Sequence, residues 1–482
     1  MTPSSHSVIE GASDATAADV DRVAELAAQA FRSFRDSSNS QRANLLRMIA
    51  DGIEALGSDL VECVHFETAL PAGRIESERT RTCAQLRMFA DLAEKDSWRD
   101  LRTDPSEPDR QPLPRPEVRS LLRPLGPIAV FGAGNFPLAF SVAGGDTAAA
   151  LAVGCPVIVK AHPAHPGTSA LVGRVIQQAL AAGGLPVGVF SLLFDSGHDV
   201  AVALVRHSAV KAAAFTGSRT GGLALWRAAL ERPVPIPVFA EMSSVNPVFL
   251  LPQALQAKGE AIAVGLHASL TVGIGQFCTK PGLVFVQDSA AARRLLESLA
   301  EKVRTTPPGT MLTPAIAVRY QADIRSRTDN SGARLLATTN ASGTQVPASI
   351  HFTDSATFLG NPVLAEEIFG PCTLIVTCDS AADMIRCANA LSGQLTATLW
   401  ADATEWAHAD DLLSVLELKV GRLVMNGFPT GVEVGAATMH GGPFPATTDS
   451  RFTSVGTRSI LRFVRPVAYQ NFPEALLPKS RE

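Results

Sequence analysis

An alternation of short apolar runs and helical segments between residues 128 and 215 constrains the fold of this chain most strongly. The apolar runs are IAVF at 128–131, PVIVK at 156–160, VFSLL at 189–193 and AAAF at 212–215. None of them alternates polar with apolar residues, so each predicts a strand that is buried on both faces. Helices are predicted between them, near 137–152, 167–182 and 197–206. The pattern indicates an open, parallel α/β sheet that binds ligands at the carboxyl ends of its strands.

The regions on either side of this alternation predict further elements. Apolar residues recur at helical spacing over 20–34 and 45–56, and Gly57 is the predicted end of the second helix. The proline-rich segment 102–116 predicts an exposed connector without regular structure. Beyond residue 241, helices again mix with buried strands, such as those at 282–286 and 372–376. A chain of 482 residues with these elements predicts two to four domains.

Charge and hydropathy exclude several classes of partner. The net charge is −4 and no basic run is present, so the sequence gives no indication of nucleic-acid binding. The most apolar stretch, 136–159, is interrupted by prolines, a glycine pair and Asp146, which argues against a membrane span. The polar segment Met1–Gly11 lacks the pattern of a signal peptide. We therefore expect a cytoplasmic protein without a membrane partner.

The cysteines indicate neither a disulfide framework nor a metal site. There are seven of them, without CxxC spacing. His162 and His165 have HxxH spacing, but each is followed by a proline, so we predict a loop and no metal. Cys278 lies in a glycine-flanked segment, Gly273–Gly282, where the backbone can come close to a substrate. It is therefore a candidate nucleophile, although most cysteines of this kind are inert core residues.

A turn after the first buried strand holds the next candidate. Residues Gly132–Pro137 approach the dinucleotide fingerprint GxGxxG, but Pro137 replaces the third glycine and suits the first turn of a helix. We interpret the glycines as a tight turn that presents the amide of Asn135 at the carboxyl end of a strand. An amide held there can donate a hydrogen bond to a developing oxyanion. Alternatively, Asn135 only stabilises its own turn.

Three further candidates follow other strands. Glu241 closes an apolar run, and burial would raise the pKa of its carboxyl group toward a value useful for a general base. The alternative is a carboxylate paired with a nearby arginine. Thr216–Ser218 end a strand and open a helix, so their N–H groups and the Ser218 hydroxyl can hold a phosphate. Lys160 ends the 156–160 run and either contacts ribose or phosphate or is solvated.

These motifs, in this order, resemble the aldehyde dehydrogenase family over nearly the whole chain. The motifs are NFP at 135–137, VIVK at 157–160, FTGS at 215–218, the strand-terminal Glu241, GQFC at 275–278 and EEIFGP at 366–371. The resemblance implies oxidation of a small aldehyde to a carboxylate with NAD(P). It further implies that Cys278 forms a thioester, that Asn135 holds the oxyanion and that Glu241 activates water.

The resemblance also implies a set of cofactor-binding residues and a fold. The cofactor set is Lys160, His162, Arg206, Thr216, Gly217, Ser218, Glu367 and Phe369, with Glu367 on the nicotinamide ribose and Phe369 beside the nicotinamide. The implied fold has a Rossmann-type cofactor domain (1–113 and 127–240), an α/β catalytic domain (241–446) and a small β oligomerisation flap with a C-terminal tail (114–126 and 447–482). Exposed strand edges in such a flap predict a homodimer or a homotetramer.

Three positions depart from the family pattern. Gly144 stands where many members have a lysine, nine residues after the oxyanion asparagine. Ser243 and Ser244 replace the glycines that usually follow the base. Pro163 stands where NAD-preferring members tend to have a glutamate. Without that glutamate, no carboxylate repels the 2′-phosphate of NADP, and Lys160 and Arg206 can attract it. We therefore predict use of NADP, with NAD tolerated.

Other phrases resemble the subgroup of this family that converts 2,5-dioxopentanoate to 2-oxoglutarate. They are residues Glu67–Pro71, Val159–Pro163, His440–Arg451 and Tyr469–Pro473. One alternative is a broad-specificity fatty or aromatic aldehyde dehydrogenase, whose substrate tunnel the small Ala143 and Gly144 would widen. A CoA-acylating enzyme is disfavoured by Glu241. A catalytically silent binding module is disfavoured by the presence of all three catalytic residues.

Overall fold

The computed structural model of the chain describes residues 13–342 and 345–478. Its helices are α1 (Ala17–Phe34), α2 (Asn39–Ala55), α3 (Gly57–Thr68), α4 (Ala72–Lys95), α5 (Gly145–Ala152), α6 (Pro166–Ala182), α7 (Asp199–Arg206), α8 (Arg219–Leu230), α9 (Pro252–Thr271), α10 (Ala290–Arg304), α11 (Pro314–Asn330), α12 (Ser355–Gly360), α13 (Ala381–Ala390) and α14 (Trp406–Glu417). Gly57 has a φ of +55° and separates α2 from α3, as the sequence predicted. No helix in the described ranges is long and apolar enough to cross a membrane.

The strands form two large sheets and two small ones. They are β1 (Arg102–Asp104), β2 (Val118–Pro124), β3 (Ile128–Phe131), β4 (Val157–Lys160), β5 (Phe190–Leu193), β6 (Ala212–Thr216), β7 (Val238–Glu241), β8 (Val248–Leu250), β9 (Leu283–Gln287), β10 (Gly309–Thr310), β11 (Arg334–Thr338), β12 (Gln345–Val346), β13 (Ser349–Asp354), β14 (Cys372–Cys378), β15 (Gln394–Trp400), β16 (Val420–Met425) and β17 (Val464–Gln470). Strands β10 and β12 pair as a two-stranded sheet.

The first large sheet is the predicted parallel sheet. Its five strands run in the order β5-β4-β3-β6-β7, and every neighbouring pair is parallel. Strands β3 and β4 are buried throughout, because helices cover both faces of the sheet. The four apolar runs of the sequence are therefore confirmed as buried strands. Since the strands are parallel, their carboxyl ends lie along the same side of the sheet. The last residues of β3, β4, β6 and β7 meet there; they are Phe131, Lys160, Thr216 and Glu241.

The predicted helix near 137–152 is wrong in its first half, because α5 begins only at Gly145. The buried carboxylate of Glu78, on α4, accepts hydrogen bonds from the backbone N–H groups of Leu138 and Ala139, both at 2.9 Å. The Gly145 N–H donates to the carbonyl of Ala139, six residues before it, so the backbone between them is not helical. Pro137 therefore lies in a turn and not in the first turn of a helix.

The second large sheet has seven strands in the order β11-β13-β14-β9-β8-β15-β16. Strand β11 is antiparallel to β13, and the other pairs are parallel. The ring of Phe249 stacks on that of Phe285 at 4.9 Å between centroids, in the core below this sheet. The apolar runs predicted at 282–286 and 372–376 are strands β9 and β14.

A three-stranded antiparallel sheet, in the order β1-β2-β17, joins the segments that were predicted to form the flap. The expectation that 102–116 lacks regular structure is partly wrong. Residues 102–104 form β1, which pairs with β2. Glu107 and Arg115, further along the same segment, pair with each other in an isolated bridge. The domain boundaries given above stay a prediction. Met1–Gly11, in the expected cofactor domain, and residues 479–482, in the expected C-terminal tail, lie outside the described residues.

Candidate active site

The two sheets bring a carboxylate, a thiol and an imidazole together in one buried cluster. Glu241 ends β7, Cys278 lies in the loop before β9, and His440 lies in the chain after β16. Their potential ligand atoms all lie within 4.8 Å of one another. A set of these three residue types is able to bind a transition metal or to perform nucleophilic catalysis. The expectation that the protein has no metal stays a prediction.

His440 stands between the other two groups. Its Nε2 atom lies 3.5 Å from Sγ of Cys278 and 2.8 Å from Oε1 of Glu241. The contact with Cys278 has the direction of a hydrogen bond, whereas that with Glu241 is an ion-pair distance without hydrogen-bond direction. The imidazole is 1% exposed, so bulk water does not compete for its protons. It is therefore placed to exchange a proton with the thiol while a carboxylate faces it.

The segment that carries His440 is attached to the edge of the first large sheet. Met242 N–H donates to the carbonyl of Ala446 at 2.8 Å, and Ala240 N–H donates to Oγ1 of Thr448 at 3.0 Å. The Ser454 hydroxyl, further along, donates to Oε2 of Glu241 at 2.5 Å. These contacts extend the sheet beyond β7 and fix the Oε2 atom of the Glu241 carboxylate.

The pKa of Glu241 corrects one expectation. Burial alone raises the pKa of this carboxyl group, as the sequence predicted. The facing imidazole of His440 and the Ser454 hydroxyl outweigh burial, so that the pKa of Glu241 is lowered below its ordinary value. The expected elevated pKa is therefore wrong, and the expected alternative of an arginine partner is also wrong, since the partner is a histidine. Glu241 is a stably ionised carboxylate.

Cys278 lies in an unusual loop. Gly273, Ile274 and Gly275 all have φ near +60°, and they form most of a short 3-10 helix, Val272–Gly275. A Cβ on Gly275 would lie 2.4 Å from backbone atoms of Gly370 and Pro371, so only glycine permits this close approach. The loop is thereby pressed against the 366–371 segment, and Cys278, taken as a whole residue, is partly exposed.

Cys278 is not a preformed thiolate. Burial raises the pKa of its thiol well above the ordinary value, and the negative charges of Glu241 and Glu367 act in the same direction. The guanidinium of Arg81 opposes them weakly. A thiol in these surroundings needs a base to become a nucleophile. His440 Nε2 is at the required position.

Asn135 contacts the nucleophile loop directly. Its Nδ2 donates to the carbonyl oxygen of Gln276, two residues before Cys278, at 2.9 Å. This hydrogen bond takes one of the two Nδ2 protons and leaves the second for a ligand. The structure thus brings Asn135, Cys278 and Glu241 to one site, and their catalytic roles stay predictions.

His440 and Ser454 were not among the predicted site residues. His440 is part of a phrase, 440–451, that was used only to recognise a subgroup. The available signal was a histidine followed by two glycines and a proline, an unusual setting for a residue in an apolar core. Nothing in the local pattern of Ser454 distinguishes it from an ordinary loop serine.

Two of the predicted cofactor segments approach each other. Thr216–Ser218 follow β6, and the Ser218 hydroxyl caps α8 by accepting from Gly221 N–H at 3.2 Å. The neighbouring Arg219 forms an ion pair with Glu366 at 3.7 Å, next to Glu367 and Phe369. Gly217 N–H donates to the carbonyl of Glu241 and is not available for a phosphate. The first-turn N–H groups of α8 have no partner within the helix and suit a pyrophosphate.

Glu367 has a perturbed pKa. Burial raises the pKa of its carboxyl group to about 7, although Lys280, the Ser243 hydroxyl and the Ser244 N–H oppose this rise. Ser243, one of the departures from the family pattern, therefore contacts Glu367, the residue that was predicted to bind the nicotinamide ribose. Ser244 is structural, because its hydroxyl donates to Gln394 Oε1 at 3.0 Å and thereby joins β15 to the end of β7.

Lys160 and His162 lie at the same edge of the sheet, after β4. The Nζ of Lys160 donates to the carbonyl of Asp195 at 2.7 Å, and burial lowers its pKa. Burial, with His165 and Lys160 nearby, lowers the pKa of His162 to about 3. A neutral His162 cannot supply positive charge to a phosphate, so its predicted role is reduced to a hydrogen bond or a packing contact.

Arg206 is not part of this site, and its assignment to the cofactor is wrong. Helix α7 leaves the carboxyl end of β5 and runs back across the sheet, and Arg206 is its last residue. The residue therefore lies at the edge opposite to Lys160. Its guanidinium forms an exposed ion pair with Glu231 at 2.5 Å, at the end of α8.

The backbone around Gly144 leaves no space for the lysine that many family members have at this position, and it does not support a widened substrate tunnel. A Cβ at this position would lie 2.6 Å from the carbonyl oxygen of Ala139 and 2.8 Å from the amide nitrogen of Ser141. Backbone already fills the space that a side chain would need. Ala143 is 2% exposed and packs into the core. Neither residue lines an open channel.

Three comparisons with known proteins agree with this geometry. The model of the aldehyde dehydrogenase family matches residues 1–443. An alpha-ketoglutaric semialdehyde dehydrogenase 2 of Azospirillum brasilense is 51% identical over 97% of this chain and 89% of its own length. An alpha-ketoglutaric semialdehyde dehydrogenase of Acinetobacter baylyi is 46% identical over the same shares, 97% and 89%. The NAD⁺ complex of a Bacillus cereus aldehyde dehydrogenase has a TM-score of 0.80 at 22% identity, over 95% of this chain and 89% of that one, and shows a shared fold.

Proposed function

This chain belongs to the aldehyde dehydrogenase family and oxidises an aldehyde to a carboxylate with NAD(P), and from that premise we propose that it converts 2,5-dioxopentanoate to 2-oxoglutarate. The chemistry is supported by one observation: a single imidazole nitrogen faces both the Cys278 thiol and the Glu241 carboxylate. The substrate is supported by the two semialdehyde dehydrogenases that are 51% and 46% identical.

The first step forms the covalent bond. His440 Nε2 takes the proton of the Cys278 thiol, and the ionised Glu241 stabilises the resulting imidazolium. The thiolate attacks the aldehyde carbon, and the new oxyanion accepts hydrogen bonds from the free Nδ2 proton of Asn135 and from the Cys278 N–H. A bound nicotinamide would supply the hydride acceptor by which the adduct becomes a thioester on Cys278.

The second step hydrolyses the thioester. Glu241 takes a proton from a water as the oxygen attacks the thioester carbon, and the thiolate leaves. The proton held on His440 then returns to Cys278. The product is the carboxylate, and the protons of the water are released to solvent.

The residues of the site fit a dinucleotide. The N-terminal turn of α8 supplies backbone donors for a pyrophosphate, and Glu367 is placed beside the Cys278 loop for a ribose hydroxyl. The preference for NADP, with NAD accepted, rests on Pro163 and Lys160 alone, since Arg206 lies away from the site. A higher kcat/KM for NADP than for NAD, reduced by Lys160→Met, is expected. A strong preference for NAD contradicts it.

The small sheet supports a homodimer or a homotetramer. Strand β17 is an edge strand of the order β1-β2-β17, so that one row of its N–H and C=O groups has no neighbouring strand. Such an edge is paired by a second copy in many oligomers. Mass photometry of the protein at nanomolar concentration distinguishes the two states, and a stable monomer contradicts the proposal.

The cysteines support a cytoplasmic location. All seven are free, and Cys378 and Cys387 lie close to each other without forming a disulfide. A reducing compartment preserves such thiols. Cell fractionation with an antibody against the chain tests this proposal.

A substrate panel tests the proposed function. Initial rates of NADP and NAD reduction are measured with 2,5-dioxopentanoate, succinate semialdehyde, glutaraldehyde, hexanal and benzaldehyde. We expect kcat/KM for 2,5-dioxopentanoate to lead by at least about tenfold. If hexanal or benzaldehyde leads, the substrate is wrong and the broad-specificity alternative is correct. If none of the five aldehydes is oxidised, the alternative of a catalytically silent binding module is favoured.

A variant of the nucleophile tests the chemistry separately. Cys278→Ala is expected to abolish turnover while binding of NADP, measured by titration calorimetry, persists. Cys63→Ala, a partly buried thiol on α3, is the matched control and should turn over normally. Turnover by Cys278→Ala would refute the thioester.

A further inference from the structure

Two arginines from distant parts of the chain meet on one loop near the nucleophile. Arg81, on α4, donates from Nη1 to the carbonyl of Val432 at 2.6 Å. Arg422, on β16, donates to the carbonyls of Pro429 at 2.6 Å and Gly431 at 3.2 Å. The loop 429–432 therefore orients both guanidinium groups through its backbone carbonyls.

This loop lies against the Cys278 segment. The Thr430 hydroxyl donates to the carbonyl of Thr279, the residue after the nucleophile, at 3.4 Å. Arg81 lies over the ring of Phe140 at 5.7 Å, and that ring is 6.4 Å from the imidazole of His440. Burial lowers the pKa of both guanidinium groups, and the charge of a Cys278 thiolate acts on each in the opposite direction. Both cations are therefore within electrostatic range of the reacting sulfur.

Neither cation is neutralised by an ion pair within residues 13–342 and 345–478. Both side chains are partly buried, and the Nε of each is buried without a hydrogen-bond partner there. Arg74, on the same helix as Arg81, differs because it pairs with Glu78 at 2.7 Å. Glu78 and Glu433 influence Arg81 only at longer range. Burying a charge without a paired anion is unfavourable, so this arrangement indicates an anionic ligand.

We infer that Arg81 and Arg422 form the subsite for the carboxylate of an ω-oxo acid whose aldehyde carbon lies at Cys278. This inference rests on the proposed function, because it assigns the distal end of the proposed substrate. A planar guanidinium binds a carboxylate with two parallel hydrogen bonds, and the Nη groups of both arginines carry protons beyond those given to the loop carbonyls. The subsite selects aldehydes that carry an acid group over neutral aldehydes of the same length.

Matched substrates test this subsite. The ratio of kcat/KM for 5-oxopentanoate to that for pentanal is measured in the wild type, Arg81→Gln and Arg422→Gln. We expect each substitution to lower the ratio about tenfold or more, mainly through a higher KM for the acid. Arg79→Gln is the control, since Arg79 also donates to a backbone carbonyl, that of Gly57 at 2.7 Å, from the same helix. An unchanged ratio in both variants overturns the inference.

A binding measurement separates the subsite from the proposed function. Iodoacetamide alkylates Cys278, and 2-oxoglutarate is expected to slow this reaction in the wild type and in Arg79→Gln, but much less in Arg81→Gln and Arg422→Gln. Equal protection in all four proteins overturns the subsite. If the wild type shows no preference for 2,5-dioxopentanoate while protection still depends on Arg81, the proposed substrate is wrong and the carboxylate subsite is supported.

Discussion

The imidazole Nε2 of His440 lies 3.5 Å from the thiol of Cys278, although 162 positions separate the two residues. This contact gives the buried thiol a base. The high pKa that burial imposes on Cys278 would otherwise leave it protonated at neutral pH. The ionised Glu241, 2.8 Å from the same Nε2, favours the protonated imidazole that the transfer creates. His440 can thus accept the proton of the Cys278 thiol while the Glu241 carboxylate stabilises the positive charge that results.

His440→Gln should slow formation of the thiolate. We expect kcat/KM to fall by about 10²-fold or more, because a positioned base contributes this much to proton transfer. The rate of Cys278 alkylation by iodoacetamide at pH 7 should fall in parallel and recover at alkaline pH. His267→Gln, which loses only a contact with Thr306, is the control. Alkylation of His440→Gln at the wild-type rate would show that His440 is not the base.

Glu241→Gln should separate the two half-reactions. Thioester formation continues more slowly, since Cys278, His440 and Asn135 remain but the imidazolium loses the carboxylate that faces it, whereas the hydrolytic water loses its base. Stopped-flow measurement is expected to show a burst of reduced cofactor followed by steady turnover at least about 10²-fold slower than wild type. A uniformly slow reaction without a burst would show that Glu241 limits the first step more than the hydrolysis.

Glu78→Ala should weaken both the fold and the site. The Glu78 carboxylate accepts two backbone hydrogen bonds from the turn after Asn135 and pairs with Arg74. Its removal leaves two amides and a guanidinium without their partner, at an expected cost of about 3 kcal/mol. Chemical denaturation measures this loss. We also expect kcat to fall, because Asn135 loses its support, and Glu76→Ala on the exposed face of α4 should change neither quantity.

Glu367→Gln should stabilise the cofactor-free protein at alkaline pH. The pKa of the Glu367 carboxyl is about 7 in the folded chain, against 4.5 for a fully solvated glutamate. Between pH 4.5 and pH 7 the folded state therefore holds a proton that the unfolded state has released. Stability therefore falls as pH rises from about 4.5 to about 7, by about 3 kcal/mol at most. Thermal unfolding should show a higher Tm for the variant than for wild type at pH 8, with little difference at pH 5. A lower Tm at pH 8 would contradict the raised pKa.

The parallel sheet was predictable from sequence because strands buried on both faces must be continuously apolar. Cys278, Glu241 and Asn135 were identified because each interrupts such a pattern beside glycines or at the end of a strand. The helix predicted from residue 137 was wrong because the chain forms a turn there, and this turn is held by Glu78, which lies 60 positions away from Leu138. His440 and the Arg81–Arg422 pair depend on contacts between distant segments, which no local pattern records. The position of Arg206 was deducible, since a helix that connects two parallel strands ends at their amino edge.

The attachment of residues 446–454 to β7 has a consequence for the synthesis of the chain. The hydrogen bonds of Met242 with Ala446 and of Glu241 with Ser454 require a segment that is synthesised long after β7, since 213 positions separate Glu241 from Ser454. A nascent chain that ends before residue 440 already contains Cys278 but lacks its base. The cluster of nucleophile, base and carboxylate is therefore assembled only after residue 454 has been synthesised, although the nucleophile itself is made far earlier.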